Sequence, residues 1–494
     1  MNLVKKVAHN TLIQIASKLI STILGLWAIV IITRYLGPAG FGEYTTIITF
    51  LTFFAVASDF GLTLVTAQMI SAPGVPEKKI LNNLFSFRLV SSLFFLILAP
   101  VVVWFFPYIA EIKFGVLITA VSFLFPALNQ VLIGLFQKKL SMSRDAVAEM
   151  ASRLVLIAGL IVIRNMGLGL NGILLATIMA AGVNFLLHYV LSLKFAVVRW
   201  EFDWPLWQKI IAKSWPLAVT IVLNLIYLRA DTLLLSLFRR FEEVGLYGAT
   251  YRIVDVLTTI PFMFAGIILP ILTANWLEKN RAFFMKVLQK SFDFMIALAI
   301  PLAVGAQWFG GPIMLYTGGQ DFAPAGPILQ ILIFGVAAIF PGTVLAHAVI
   351  ALDRQKKMIR FYIFTSLSSL IAYLYFIPRF SYFGAAGVTI YSEIMIAIFS
   401  GYCVYKYSRF RPRWSVAAKS LLSALVMAAF LFFFGPASQP PIWEVVWTMT
   451  VATLVYLVSM YLLGGIKRTD LDRIFRNQDG PPTEGSATYT GSNI

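Results

Sequence analysis

Eleven ionisable side chains stand inside otherwise apolar stretches of this 494-residue sequence: Lys18, Asp59, Arg88, Glu149, Arg153, Arg229, Asp231, Arg252, Asp255, Asp293 and Glu393. At bilayer depth such a group is costly unless it is paired or hydrated, so each is a candidate site residue. Cations there can hold a strongly hydrated anion, and buried carboxylates can take up a proton. Spacing sorts them. Lys18 lies about 10 Å into the first apolar stretch and Asp59 lies at similar depth in the second, so these two can pair. Arg229 and Asp231 are two residues apart and project from nearly opposite faces of a helix. Arg229, roughly 13 Å from its helix end, must therefore face a cavity or a partner on another helix. Arg252 and Asp255 share a face, as do Glu149 and Arg153, and both spacings suit local ion pairs. Arg88 and Asp293 stand nearer to span ends, where they can snorkel. Glu393 has no nearby cation in its own helix. His188 and His347 suit hydrogen-bonded structural roles near helix ends.

The composition requires lipid around these groups. Hydrophobic residues make up 59% of the chain and charged residues only 12%, with a mean hydropathy of +0.84. A soluble domain carries about 25% charged residues. The net charge of +17, from 39 Lys+Arg against 22 Asp+Glu, would suggest nucleic acid in a soluble protein. In a membrane protein it is expected on loops facing anionic lipid. The single cysteine, Cys403, excludes an internal disulfide and a cysteine metal cluster, and His9, His188 and His347 are scattered. No metal site and no cofactor is expected.

Windows of about 20 residues give fourteen apolar segments, the first near 11–33 and the last near 442–464. With both termini cytoplasmic, twenty-eight of the 39 Lys+Arg fall on inward loops and six on outward ones. This is the positive-inside pattern, and a wrong span count would scramble it. The fifth segment, 146–163, is the weakest because Glu149 and Arg153 interrupt it. Residues 201–213 (EFDWPLWQKIIAK) alternate aromatic and basic types and should lie along the inner interface. The last residues are polar and rich in Gly, Ser, Thr and Pro, so 467–494 should be a disordered cytoplasmic tail.

Three pieces of the first six spans recur six spans later. RYLGPAGFGEY (34–44) resembles RRFEEVGLYGA (239–249), matching Arg34 to Arg239 and Gly40 to Gly245. Gln137-Lys138-Lys139 recurs as Gln355-Lys356-Lys357, and Gly169 to Ile173 as Gly384 to Val388. Because six is even, the repeats share orientation and are related by an axis along the membrane normal. The expected architecture is an all-α integral membrane protein of about 14 transmembrane helices. It has a first six-helix lobe (1–200), a second with the interfacial segment (201–412), and two further helices (413–466). Two such lobes facing one another enclose the cavity of an alternating-access carrier.

The chain also resembles the polysaccharide (oligosaccharide) flippase family, of the superfamily shared with multidrug and toxin extrusion carriers and the lipid II flippase. The resemblance runs through RYLGPAGFGEY, SDFGLTLV (58–65) and RADTLLLSLFRRFEEVGLYGATYRI (229–253). It continues through GQDFAPAGPILQIL (319–332), ALDRQKKMIRF (351–361) and YFGAAGVTIYSEI (382–394). It implies a flippase, not an enzyme, that moves a lipid-diphosphate-linked oligosaccharide from the inner to the outer leaflet of the cell membrane. The implied partners are that substrate, membrane lipids, and the polymerase or glycosyltransferases of its pathway. A diphosphate headgroup needs cations at depth, which Arg229, Lys18, Arg153, Arg88 and Arg252 could supply. Glu393, Asp231, Asp255 and Asp59 are the candidates for ion coupling. No G-x-x-x-x-G-K-[ST] occurs, so ATP does not drive the chain from within. An ion-coupled drug or cation antiporter would favour a carboxylate-dominated cavity. A membrane glycan polymerase or ligase would need a larger outward loop than 311–324, which holds one carboxylate.

Overall fold

The computed structural model describes residues 3–70, 76–436 and 440–465; the 467–494 tail lies outside them. Among these residues the regular elements are thirteen α-helices and one short 3-10 turn, Gln320–Ala325. The stretch expected as a first lobe holds α1 (Leu3–Asp59), α2 (Leu62–Ile70), α3 (Glu77–Val103), α4 (Ala110–Lys138), α5 (Ser143–Met166) and α6 (Gly169–Ser192). The stretch expected as a second lobe holds α7 (Trp204–Phe238), α8 (Phe241–Leu277), α9 (Arg281–Gly318), α10 (Gly326–Ala351) and α11 (Gln355–Ser408). Helices α12 (Ser415–Phe434) and α13 (Ile442–Leu462) follow. Apolar sequence in lipid folds this way because a helix satisfies its backbone within its own segment.

Among the described residues, 12 helices are long and apolar enough to cross a membrane, and two of them are double. Gly37 breaks α1 with a φ of 65°, a value glycine adopts without steric cost, and Pro38 then has no N–H to continue the ladder. Ser381 breaks α11 with a φ of 52°. The two arms of α11 run antiparallel: Phe361 stacks on Phe399 at 4.5 Å, and Tyr391 donates to Ser368 at 3.1 Å. Counting both arms of each gives fourteen crossings, in agreement with the hydropathy reading. The fifth segment is an unbroken helix despite Glu149 and Arg153.

The lobes meet most tightly at the end bearing the Gly37, Arg239 and Ser381 turns, opposite the end bearing the basic loops. A Cβ on Gly42 would lie 1.8 Å from the carbonyl oxygen of Phe241, and one on Gly245 would lie 1.9 Å from that of Pro38. Each glycine thus faces the backbone four residues before the other. The contact pairs Gly42 with Gly245, whereas the sequence match set Gly40 beside Gly245.

At the basic end, the chain between the lobes is fastened to α3. Backbone N–H groups of Arg199, Glu201 and Asp203 donate to the side chains of Asn82, Ser86 and Asn83 at 3.0, 2.9 and 2.8 Å. Binding of alternate residues holds the segment extended. It leaves Trp200, Phe202 and Trp204 on the outer side, all more than half exposed. Lys79 pairs with Asp203, which also caps α7 by accepting from the Leu206 N–H at 3.0 Å. The ammonium first, and then that N–H, hold the Asp203 carboxyl below the usual range. Trp207 is buried edge-on against Phe87 at 5.1 Å, so part of the 201–213 stretch packs on the first lobe. Helices α12 and α13 dock on α9, where the Tyr456 hydroxyl donates to the Ala297 carbonyl at 2.7 Å.

Candidate functional site

Directly beneath the glycine contact, the second arm of α1 faces α7 and α8 across a small, partly open cavity of about 70 Å³. Its walls are Thr45, Ile48, Thr49 and Thr52 from the first lobe and Arg229, Thr232, Gly248, Tyr251 and Arg252 from the second. The α1 residues recur at helical spacing and form one stripe. The glycine at 248 matters here, since a Cβ would meet the Thr45 side chain at 2.7 Å.

Two cations converge in this space. Arg229 donates from Nη2 to Oδ1 of Asp255 at 2.5 Å, across the α7–α8 boundary. Arg252 lies 3.9 Å from the other oxygen of the same carboxylate. The Arg229 guanidinium also stacks 5.0 Å above the Tyr251 ring. All three charged side chains are about one-third exposed. Two guanidinium groups thus share one carboxylate, and the cluster carries a surplus positive charge facing open space. The opposite wall offers threonine hydroxyls, and that of Thr45 is buried with no hydrogen-bond partner.

Asp231 stands behind the wall rather than in it. It is fully buried and accepts from the hydroxyls of Tyr247 at 2.7 Å, Tyr251 at 2.8 Å and Thr389 at 3.2 Å, and from the Thr232 N–H at 2.6 Å. This uncharged cage ties α7, α8 and α11 together. Tyr251 belongs to both groups, with its ring under Arg229 and its hydroxyl on Asp231.

The other sequence candidates lie elsewhere. Arg88 is 3% exposed and fills the break between α1 and α2, where Phe60 and Gly61 have φ of 49° and 75°. It pairs with Asp59, donates to the backbone carbonyls of Asp59 at 3.2 Å and Ala127 at 3.0 Å, and reaches the Thr63 hydroxyl at 3.3 Å. Asp59 is therefore bound to Arg88 rather than to Lys18, and Arg88 is spent on holding a broken helix. Lys18 is exposed, and no described carboxylate pairs with it. Arg153 is 3.7 Å from Glu149 and lies against Gly25 of α1. Glu393 is 7% exposed, and its Oε1 has no hydrogen-bond partner. His188 is buried, bonded to Asp145 at 3.0 Å and to the Asn184 carbonyl at 2.9 Å. Among the described residues no three His, Cys, Asp or Glu side chains are grouped as metal ligands would be.

The threonine wall and Tyr251 escaped the sequence reading. Thr45, Thr49 and Thr52 do mark one helical face, yet threonines commonly bond their own helix, as Thr46 does to the Gly42 carbonyl at 2.8 Å. Only the opposing arginines distinguish the stripe.

With this geometry in hand, the chain was compared with known proteins. The family described as polysaccharide biosynthesis protein matches residues 7–276. The probable flippase AglR of Haloferax volcanii is 26% identical over 221 residues, which is 42% of this chain and 45% of that protein, so the match spans less than half of the relative. Among solved structures, the lipid II flippase MurJ in an inward closed conformation aligns with a TM-score of 0.74 at 17% identity, covering 91% of this chain and 98% of the other. An inward-facing multidrug resistance MATE family transporter aligns at 0.61 and 15% identity, covering 89% and 96%. At these identities the two structures establish a shared fold.

Proposed function

This chain belongs to the polysaccharide biosynthesis protein family, and we propose that it is a flippase that carries a lipid-diphosphate-linked oligosaccharide across the cell membrane by alternating access. The observation that carries the proposal is the convergence of Arg229 and Arg252 on a single carboxylate in a cavity between the lobes. Phosphate is too strongly hydrated to enter hydrocarbon alone, and guanidinium groups replace its water with charge-assisted hydrogen bonds. Thr49 on the opposite wall adds a hydroxyl for a remaining phosphate or sugar oxygen. The lipid tail stays in the bilayer while the headgroup enters.

The end with the basic loops is cytoplasmic by the positive-inside rule, and so are both termini. The Gly42–Gly245 contact then seals the outer face, and the headgroup enters from the inside. Separation of the glycine contact, with closure on the inner side, would release the headgroup to the outer leaflet. A polymerase or glycosyltransferases of the same pathway would then use it.

A carrier of organic cations would need surplus carboxylate in the cavity, and here the surplus is guanidinium. Of the coupling candidates, Asp255 pairs with the cavity-lining Arg229 and Arg252, Asp59 and Asp231 are bound in structural clusters, and Glu393 is buried with its Oε1 lacking a hydrogen-bond partner. Binding of a prenyl-diphosphate-linked sugar to the purified protein tests the site. Arg229→Ala should abolish binding and Arg229→Lys should retain part of it. Undiminished binding by Arg229→Ala would remove this cavity from the pathway.

A further inference from the structure

Bacterial and archaeal membranes hold many anionic lipids with a single phosphodiester, and a cavity with two arginines would attract all of them. Resting on the reading of this cavity as a diphosphate site, we propose that Asp255 is the residue that excludes them. It occupies the phosphate's place on Arg229 until a headgroup with enough charge displaces it.

The geometry is asymmetric. Asp255 holds Arg229 on the neighbouring helix at 2.5 Å, and holds Arg252, three residues earlier on its own helix, at only 3.9 Å. The pair is about one-third exposed, so an incoming anion can reach it. When a phosphate takes Arg229, the Asp255 carboxylate can close the remaining distance to Arg252 and stay paired throughout. The exchange needs no proton and no ion. The Tyr251 ring beneath Arg229 keeps that guanidinium facing the cavity while its partner changes.

Charge decides which anion succeeds. A phosphodiester headgroup brings one negative charge and only replaces the carboxylate it removes, so the cavity gains little. A diphosphate diester brings two negative charges. It can occupy Arg229 and still attract Arg252 across the short gap, while the threonine hydroxyls of the first lobe accommodate its other oxygens. Specificity of this kind comes from an opponent built into the site, which penalises weak ligands more than strong ones. The same bond ties α7 to α8 in the empty carrier, and binding transfers Arg229 from that tie to the substrate.

The test measures two dissociation constants on the full chain in nanodiscs, one for a short-chain prenyl diphosphate sugar and one for short-chain phosphatidylglycerol. Wild type should prefer the diphosphate strongly. Asp255→Asn should bind both ligands more tightly and phosphatidylglycerol disproportionately, so that the preference falls about tenfold, which corresponds to about 1.4 kcal/mol. If Asp255→Asn does not fold, Asp255→Ser carries the same expectation. An unchanged preference in a folded Asp255 variant would overturn the exclusion role while leaving the diphosphate site standing, provided Arg229→Gln still loses diphosphate binding. Weaker diphosphate binding by Asp255→Asn would also overturn it, since the carboxylate would then be orienting Arg229 rather than competing for it. If Arg229→Gln binds the diphosphate as wild type does, the cavity reading itself fails, and this proposal fails with it.

Discussion

Replacing Gly42 or Gly245 by alanine should push the carrier toward its outward-open state. A Cβ added at Gly42 would sit 1.8 Å from the Phe241 carbonyl oxygen and 2.7 Å from its carbon, and the reciprocal Cβ at Gly245 would sit 1.9 Å from the Pro38 oxygen. Ordinary van der Waals separation is about 3.5 Å, and the obstacle is backbone, so no side chain can rotate away. The arms of α1 and α8 must part by about 1.7 Å. Overpacking of this kind costs about 1–3 kcal/mol. The cost falls on the outward-closed state, where the contact exists, and is absent once the lobes separate. It should therefore shift the equilibrium by about 5- to 150-fold. The assay uses a chain whose single native cysteine, the buried Cys403, is replaced by serine. A reporter cysteine at Thr49 on the cavity wall is then labelled from outside with a membrane-impermeant maleimide. Labelling should rise in Gly42→Ala and in Gly245→Ala, while Gly266→Ala, with no atom within 4 Å of its Cβ, should match the parent. Folded Gly42 and Gly245 variants that label at the parent rate would refute the seal.

Arg88→Met should lower stability by about 3–5 kcal/mol, measured by unfolding in mixed micelles, because Asp59 and two backbone carbonyls lose a buried cation. Loss of substrate binding with unchanged stability would instead make Arg88 a substrate ligand. The Asp203 carboxyl is held low by Lys79, so its clasp on the interlobe segment is complete above the ordinary carboxylate range, near pH 4, and is lost as pH falls through its lowered value. Protease cleavage after Arg199 should accelerate at acid pH in wild type and already be fast at neutral pH in Asp203→Asn; equal rates would show that the clasp contributes nothing. Glu393→Gln should make transport insensitive to an imposed pH or Na⁺ gradient if this unpartnered carboxylate couples movement to an ion. A variant with wild-type gradient dependence would assign Glu393 a structural part.

The crossings were legible because a backbone satisfied within each helix needs a long apolar segment to span lipid, and loop charge marks the ends of each segment. Helical periodicity also carried the Arg229 argument: two residues of separation from Asp231 forced each to seek another partner. It could not say that the partner was Asp255, which the same spacing rule gave to Arg252. The fate of Arg88 was hidden because it depends on a helix break at Phe60–Gly61 and on a carbonyl of α4, and neither leaves a periodic trace. The Lys18–Asp59 expectation failed for the same reason, since equal depth in two helices does not fix which faces meet. The Gly42–Gly245 contact was not legible because a short repeat match cannot register a contact made by backbone atoms.

The central claim is that this cavity moves a diphosphate-linked glycan between leaflets through Arg229. It is tested most directly by reconstituting the full chain in vesicles with a fluorescent prenyl-diphosphate oligosaccharide and measuring how fast the inner-leaflet probe becomes reducible from outside. Wild type should move the probe, Arg229→Lys should move it slowly, and Arg229→Ala should leave it at the rate of protein-free vesicles while staying folded and inserted. Arg229→Ala moving the probe at the wild-type rate would contradict the account.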